Sequence, residues 1–460
     1  LWKEYKQTDC SIWIAGNHTD KEIKNLVAKL NISKVRNINY LKKVLNEINY
    51  HFGIIFFSDK CFFAAVDCAR TYPVFWRQKK NKLLLSSNAK TISFSHDKID
   101  NQQLLAFQMS GYTIDEGCIW KNIYNINPGC FIFSDELGHI HSKQYFLYKP
   151  WKNNNKGYNT LNKELKKEIF GLIKGIIKKA KGKCLVVPLS AGLDSRLIVS
   201  GLKHFNYKNV KCFSYGLKKN YESIGSEIIS NKLGYPWKYV EINQKNAKAF
   251  YKTRVFKNFI SNTVDGCATP SIQGLMALDV LLKTKFISQQ DIIINGNSGD
   301  FISGGHIPKM PKKLKRKNSI ISEILDIHIN KHYALWLKLL NNRNKKIIKA
   351  QLKLQLEKQN INQNKNFVPL GIAEFLEFQN RQAKYVVNCQ RVYDFFNLNW
   401  MLPLWNKSFV NFWSTVPLKY KKDQLLYKKV LEEINMGEVW VEKYKFKFYL
   451  KPDWIRIIRL

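Results

Sequence analysis

The sequence predicts an α/β protein in two parts: a sheet-rich part over residues 1–150, then a doubly wound parallel sheet with a helical carboxyl-terminal region over residues 151–460. Three observations predict it. Short β-like runs broken by turn residues fill the first part, and strands alternate with helices in the second. Between residues 149 and 158 the texture changes, with Pro150, Trp151 and a polar run marking the boundary. Taken in order, the first part offers strand-like runs at 11–15, 53–57, 61–66, 82–86 and 130–133, with one helical pattern at 21–30. The second part opens with the apolar run 184–188. A helix from Ser195, a strand at 210–215, a helix at 222–233, a strand at 237–242, a helix at 270–282 and a strand at 291–295 follow. Alternation at these lengths argues for a parallel sheet with helices on both faces. A lysine-rich stretch at 309–317 interrupts the pattern, and helices dominate from Ser319 onward.

The 460 residues suffice for two or three domains of ordinary size, and 45% hydrophobic content with 13% aromatics fills their cores, which excludes a disordered chain. A net charge of +40 attracts nucleic acid, anionic lipid or a polyphosphate substrate before any specific contact forms. Much of that charge is single lysines scattered among Asn and Ile, so it identifies no nucleic-acid protein, and nucleic acid is not expected as a partner. Nine cysteines form no C-x-x-C pair and no metal-like cluster with His, as expected of a reduced, cytoplasmic protein without structural zinc. No apolar run approaches the ~18 residues of a spanning helix, and no signal peptide is visible. The chain opens at Leu1 rather than Met.

The strongest chemical signal is Val186-Val187-Pro188-Leu189-Ser190-Ala191-Gly192-Leu193-Asp194-Ser195-Arg196, a buried strand running into a tight Ser/Gly turn that opens a helix. Such a turn aims backbone N–H groups and a helix N-terminus at one point, which suits a pyrophosphate. It lacks the Gly-Lys-Ser/Thr of a Walker loop. Ser190 and Ser195 offer hydroxyl donors, and Asp194 offers a hard oxygen ligand for Mg²⁺. A second loop, Asn295-Gly296-Asn297-Ser298-Gly299-Asp300-Phe301-Ile302-Ser303-Gly304-Gly305, follows the strand at 291–295. Two loops that each end a parallel strand meet at one sheet edge, where ligands bind in such folds.

The first run resembles the Ser-Gly-Gly-x-Asp-Ser pyrophosphate loop of the asparagine synthetase family, with Ala191 in place of the first Gly. The second resembles that family's Gly-rich loop. Asp300 stands at the second Mg²⁺-binding carboxylate, and Phe301 replaces an acidic neighbour. Between them, Phe213-Ser214-Tyr215-Gly216, Glu222 and Leu233-Gly234 look like the adenine-side strand and its helix. Arg381, Asn388, Arg391, Asp394 and Met401-Leu402-Pro403-Leu404 resemble the closing segment, although Arg391 and Asp394 read equally as a helix-surface ion pair. The resemblance spans about residues 160–435 and implies a PP-loop ATP pyrophosphatase domain of the adenine nucleotide alpha hydrolase-like kind, with ATP and Mg²⁺ as cofactors. It implies ATP contacts from Leu189, Ser190, Ala191, Gly192, Leu193, Asp194, Ser195, Arg196, Ser214, Tyr215, Gly216, Gly296, Ser298 and Gly299, and metal contacts from Asp194 and Asp300. A late catalytic lysine is also implied. Lys421, Lys422, Lys428 and Lys429 compete for that role, and Lys428 is taken here beside Asp194 and Asp300. Of the acidic residues, only Asp265 falls where a glutamate assisting amine attack is expected, so that role stays unassigned.

The first part resembles the glutaminase half of the same family in its later strands. The match lies in His51-Phe52-Gly53, in Ala64-Ala65-Val66-Asp67 with Arg70 and Pro73-Val74-Phe75-Trp76, and in Leu84-Leu85-Ser86-Ser87-Asn88-Ala89-Lys90 and Pro128-Gly129. A working glutaminase of this kind needs an amino-terminal Cys whose own amine serves as base. This chain offers Leu1, with Cys10 just before a strand inside the domain and Ile14-Ala15-Gly16-Asn17-His18 in the approximate place of the Asn-Gly-Glu glutamine-holding motif. A shortened Ntn-type α+β sandwich without glutaminase activity is therefore expected. The implied reaction is ATP-dependent amide-bond formation on a small-molecule or sugar carboxylate, with ammonia or an amine as donor. Macrolactam or β-lactam closure, or an inactive scaffold, are the alternatives. A homodimer and a partner amidotransferase both remain open.

Overall fold

In the computed structural model, residues 2–444 are described except 17, 80–81, 136, 153–154, 219, 310–319, 360 and 362–366. The lysine-rich run, apart from Lys309, and Asn17 lie outside the described residues. Among the described residues the first part carries nine strands: β1 Lys3–Gln7, β2 Cys10–Gly16, β3 Phe52–Phe57, β4 Phe62–Val66, β5 Phe75–Lys79, β6 Lys82–Ser86, β7 Tyr124–Asn125, β8 Cys130–Ser134 and β9 Ile140–Gln144. They form a six-stranded antiparallel sheet in the order β1-β2-β3-β4-β8-β9 and a three-stranded sheet β6-β5-β7.

Side-chain alternation along β4 shows how the layers assemble. Phe63 and Ala65 pack with Ile12, Ile54 and Phe56 beneath the helices Asp20–Lys29 and Ile38–Glu47. Phe62, Ala64 and Val66 face the other way, onto Val74, Ile126 and the Trp76 and Leu85 side chains of the smaller sheet. The result is a helix–sheet–sheet sandwich.

The second part is a five-stranded sheet of β12-β11-β10-β13-β14, made of β10 Leu185–Pro188, β11 Val210–Gly216, β12 Trp237–Glu241, β13 Ile292–Ile294 and β14 Asn399–Met401, with every neighbouring pair parallel. Leu185, Val186 and Val187 on β10 and Ile293 and Ile294 on β13 are buried on both alternations. Both faces of the sheet are therefore covered, as in a doubly wound fold. The chain leaves β10 toward β11 on one side and later returns as β13 on the other. The strand order thus reverses at β10, and a crevice opens beyond the carboxyl ends of β10 and β13. The strand at 399–401 was not expected from sequence and extends the sheet past β13. The helix expected at 270–282 begins at Leu275.

A helical region follows, including Ile320–His332, Asn342–Glu357 and Leu370–Leu376, the last continuing as a ten-residue π-helix over Glu377–Val386. The two parts interlock through backbone. Thr113 N donates to Cys267 O at 2.8 Å and Ile119 N to Gly266 O at 3.0 Å. The buried Lys384 ammonium donates to the carbonyls of Thr113 and Asp115.

Candidate functional site

A cleft of about 750 Å³ lies at the strand reversal. One wall is the turn after β10. Leu189 N donates to Phe213 O at 2.8 Å, which fixes the strand end, and Ser195 Oγ accepts from Ser190 N at 3.0 Å while touching Ser190 Oγ at 3.2 Å. Gly192 occupies the N-cap position of the helix Leu193–His204 with no side chain capping it. The first N–H groups of that helix are therefore left for a ligand or water.

The facing wall is the loop after β13. Asp300 N donates to Asp194 Oδ2 at 2.8 Å, so the two loops are joined at the residues expected to share a metal. The junction tolerates no side chain. A Cβ on Gly299 would overlap the Asp194 carboxylate and the Leu404 side chain, and one on Gly296 would press on the backbone of Asp194 and Ser195. Ser298 sits at φ 70°, a left-handed conformation that a non-glycine residue adopts at a cost. Its hydroxyl donates to Gln382 Oε1 at 2.7 Å, which helps hold it there.

Asp194 is half-buried and accepts from the N–H groups of Asp300 and Gly299 and, at 3.2 Å, from Tyr427 Oη. Burial and then the charge of Asp300 push its carboxyl up. Asp300 has a side chain 56% exposed. Burial of its surroundings works upward on its carboxyl too, but the hydrogen bond and charge of His306 hold it below the ordinary value.

The remaining walls come from β11, with Phe213, Ser214, Tyr215 and Gly216, and from Leu278, Val392 and Tyr393, a largely apolar slot of a size suited to a planar ring. The Ser214 hydroxyl is already engaged, donating to Leu189 O at 2.7 Å and accepting from Trp237 Nε1. Asp194, Asp300 and Glu222 line the cleft, and no Lys or Arg does among the described residues. In a chain of net charge +40 this is a local inversion. The cleft's carboxylates would repel a bare polyphosphate, and divalent cations between the phosphates and the carboxylates would offset that repulsion. Two carboxylates joined at one point fit Mg²⁺ that brings its other ligands from phosphate and water. Among the described residues no cluster of three or more His, Cys, Asp or Glu that could hold a metal ion is present.

Not every expected residue reaches the cleft. Ala191, Arg196 and Gly299 stand behind its surface. Arg196 is buried, donating to Ala191 O at 2.7 Å and lying over the Trp440 ring, so it braces the turn from behind. Lys428 is exposed and donates to Asp423 O at 2.9 Å, outside the cleft walls. Lys421 is buried against Glu374 at 2.8 Å and Tyr148 Oη at 2.7 Å. Gln424 is the residue of this segment that lines the cleft, and it donates to Ser303 Oγ at 2.7 Å. Asp265 accepts from the N–H groups of Cys267 and Ala268 and organises a buried turn. Arg391 and Asp394 pair at 3.1 Å, and Arg391 also donates to Thr71 O of the first part.

A cluster beside Asp300 was not legible in the sequence. His306 bridges Asp300 Oδ2 at 3.1 Å and Glu377 Oε1 at 2.5 Å, while His332 at 3.0 Å and Arg381 at 3.2 Å also meet the buried Glu377. Burial alone would discharge His306, but its two carboxylate partners raise it to about 9. Burial likewise pushes the Glu377 carboxyl up, and hydrogen bonds from His306 and His332 bring it well below its usual range. The π-helix supplies the geometry, because its wider turn sets Gln382, five residues on, against Glu377 at 3.0 Å.

A family model described as "Asparagine synthase" matches residues 183–448, more than half of the chain. No curated protein matches. Among solved structures, the chain is similar to an NH3-dependent NAD synthetase from Campylobacter jejuni, with 14% identity, 45% of this chain and 99% of that one covered, and a TM-score of 0.24. It is also similar to a glutamine phosphoribosylpyrophosphate amidotransferase from B. subtilis, with 10% identity, 64% and 63% covered, and a TM-score of 0.21. Likenesses this distant add nothing to the argument. The two-loop cleft lies wholly inside the matched segment, and the chain belongs to the asparagine synthase family.

Proposed function

We propose that this chain is an ATP-dependent ligase that activates a carboxylate as an acyl-adenylate, releases pyrophosphate, and lets ammonia or an amine displace AMP to form an amide. The observation that carries this reading is the paired-carboxylate cleft at the strand reversal, free of Lys and Arg among its described walls. The apolar slot of Tyr215, Leu278 and Val392 would hold the adenine, and the N–H groups around Gly192 with the Ser190 and Ser195 hydroxyls would hold phosphate oxygens. Asp194 and Asp300 would hold Mg²⁺, which on binding neutralises the pyrophosphate leaving group. Leu189 and Leu193 would shape the pocket, while Ser214 and Gly216 would set its inner wall. Gly296, Ser298 and Gly299 would let the second loop approach. Catalysis on this account is chiefly positioning and charge neutralisation.

The same reading divides the chain at residues 150 and 151, a break supported by the end of β9 at Gln144 and the start of the long helix at Tyr158. The first part would be a scaffold without glutaminase activity. Cys10 lies within β2, its thiol donating to Gln7 Oε1 at 3.2 Å, and the cleft walls do not include it. Nitrogen would come as free ammonia, from a partner amidotransferase or from the substrate's own amine. A cytoplasmic setting suits the nine free thiols, and no helix among the described residues is long and apolar enough to cross a membrane.

The test is product analysis. Purified protein with Mg·ATP, ammonium or glutamine, and a panel of aspartate, uronic-acid sugars and peptides is expected to release AMP and pyrophosphate in equal amounts with one acceptor class. Release of ADP and phosphate would overturn the reading.

A further inference from the structure

The helices Ile320–His332 and Asn342–Glu357 pack through Ile324, Leu325, Ile348 and Leu352, and the turn between them presents Leu335, Trp336 and Leu337 outward, 60%, 57% and 79% exposed. This is not a loose loop. Leu335 N donates to Met109 O at 3.0 Å, Leu339 N to Trp336 O at 2.9 Å, and Asn344 Nδ2 to Leu339 O at 2.9 Å. The fold thus holds three consecutive large apolar side chains in water, an arrangement that calls for a partner.

The charge around them is one-sided. Residues 331–356 contain seven Lys or Arg and no Asp or Glu, and a single exposed carboxylate, Glu357, closes the second helix at its far end. Arg343, Lys346 and Lys353 recur on one exposed stripe of the second helix with Leu354, itself 60% exposed, and Lys338 sits beside Leu337. Two of the seven are taken up within the fold, Lys349 by Asp326 at 2.8 Å and Lys331 by Glu377 at 3.6 Å and the His306 carbonyl at 2.6 Å.

We propose that this face docks the protein on an anionic lipid bilayer. Trp336 and the two leucines would enter the boundary between headgroups and acyl chains, while Lys338, Arg343, Lys346 and Lys353 would lie over the lipid phosphates. The chemistry separates this partner from the others. Nucleic acid would use the cations but gives Leu335 and Leu337 no apolar medium. A second copy of this face would bring two cationic stripes together. Only a surface that is anionic outside and hydrocarbon within satisfies both halves of the patch. The inference is independent of the reaction proposed above.

The experiment is co-sedimentation of the full chain with phosphatidylcholine vesicles, with and without phosphatidylglycerol. Binding is expected only with the anionic lipid and is expected to weaken as salt is added. The triple variant Leu335→Ser/Trp336→Ser/Leu337→Ser and the separate variant Lys338→Glu/Arg343→Glu/Lys346→Glu are each expected to lose about tenfold or more in binding. Each should keep the parent's thermal melt, because none of these side chains is buried. Equal binding to neutral vesicles, absence of binding, or retention of binding by either folded variant would overturn the proposal. So would sedimentation as a dimer abolished by the apolar variant, or binding to single-stranded RNA in place of vesicles.

Discussion

At the scale of single residues, the two carboxylates of the cleft serve the fold unequally. Asp194 accepts from two backbone N–H groups and Tyr427, whereas the Asp300 side chain is more than half exposed. Asp194→Ala is therefore expected to abolish AMP formation and also to lower Tm, because half-buried donors lose their acceptor at roughly 1–3 kcal/mol. Asp300→Ala should abolish activity with little change in Tm, and melts beside product assays distinguish the two. The His306–Glu377 pair has its own pH signature. His306 is raised to about 9, so its contribution to stability is complete below its unfolded value of 6.5 and is lost as pH rises through 9. Glu377 is depressed, so its contribution is complete above its unfolded value of 4.5 and is lost in acid. Melting curves across pH should show an alkaline decline in Tm that His306→Gln flattens. A variant with the parent's decline would refute the pairing. Asp194 and Asp300 were legible in the sequence because each follows a strand in a Gly/Ser-rich turn. His306 and Glu377 were not, because their meeting depends on tertiary packing and on a π-helix that ordinary helical periodicity does not reveal.

At the scale of elements, the parallel strands β10 to β13 were read from their apolar runs within a few residues of their ends. Strands β1 and β9 escaped because their exposed positions carry Lys, Glu, His and Gln, as edge strands do. β14 escaped because three residues carry no periodicity. The segment at 421–429 shows the limit of spacing arguments most clearly. Four lysines were equivalent on paper, yet the fold buries Lys421 against Glu374 and leaves Lys428 on the surface. Lys428→Ala is accordingly expected to leave activity within about twofold, as for a surface substitution. Lys421→Ala, which strands a buried Glu374, should cost about 3–5 kcal/mol of stability by denaturant titration. Loss of activity in a folded Lys428→Ala protein would restore it to the catalytic set.

At the scale of the whole molecule, two parts share one framework. The 112–119 segment of the first part runs against residues 266–268 of the second, and Tyr72 and Tyr148 enter the same core as β10 and β13. The first part is therefore expected to be needed for stability even without a reaction of its own. Cys10→Ser should leave any glutamine-supported activity unchanged, and its loss would overturn the account of that half as a scaffold. The most direct test of the central claim needs no knowledge of the acceptor. Calorimetric titration of ATP into the protein, with and without Mg²⁺, is expected to show binding only with the metal, and that binding should disappear in Asp300→Ala. Equal affinity without Mg²⁺, or an unaffected variant, would contradict the two-carboxylate site.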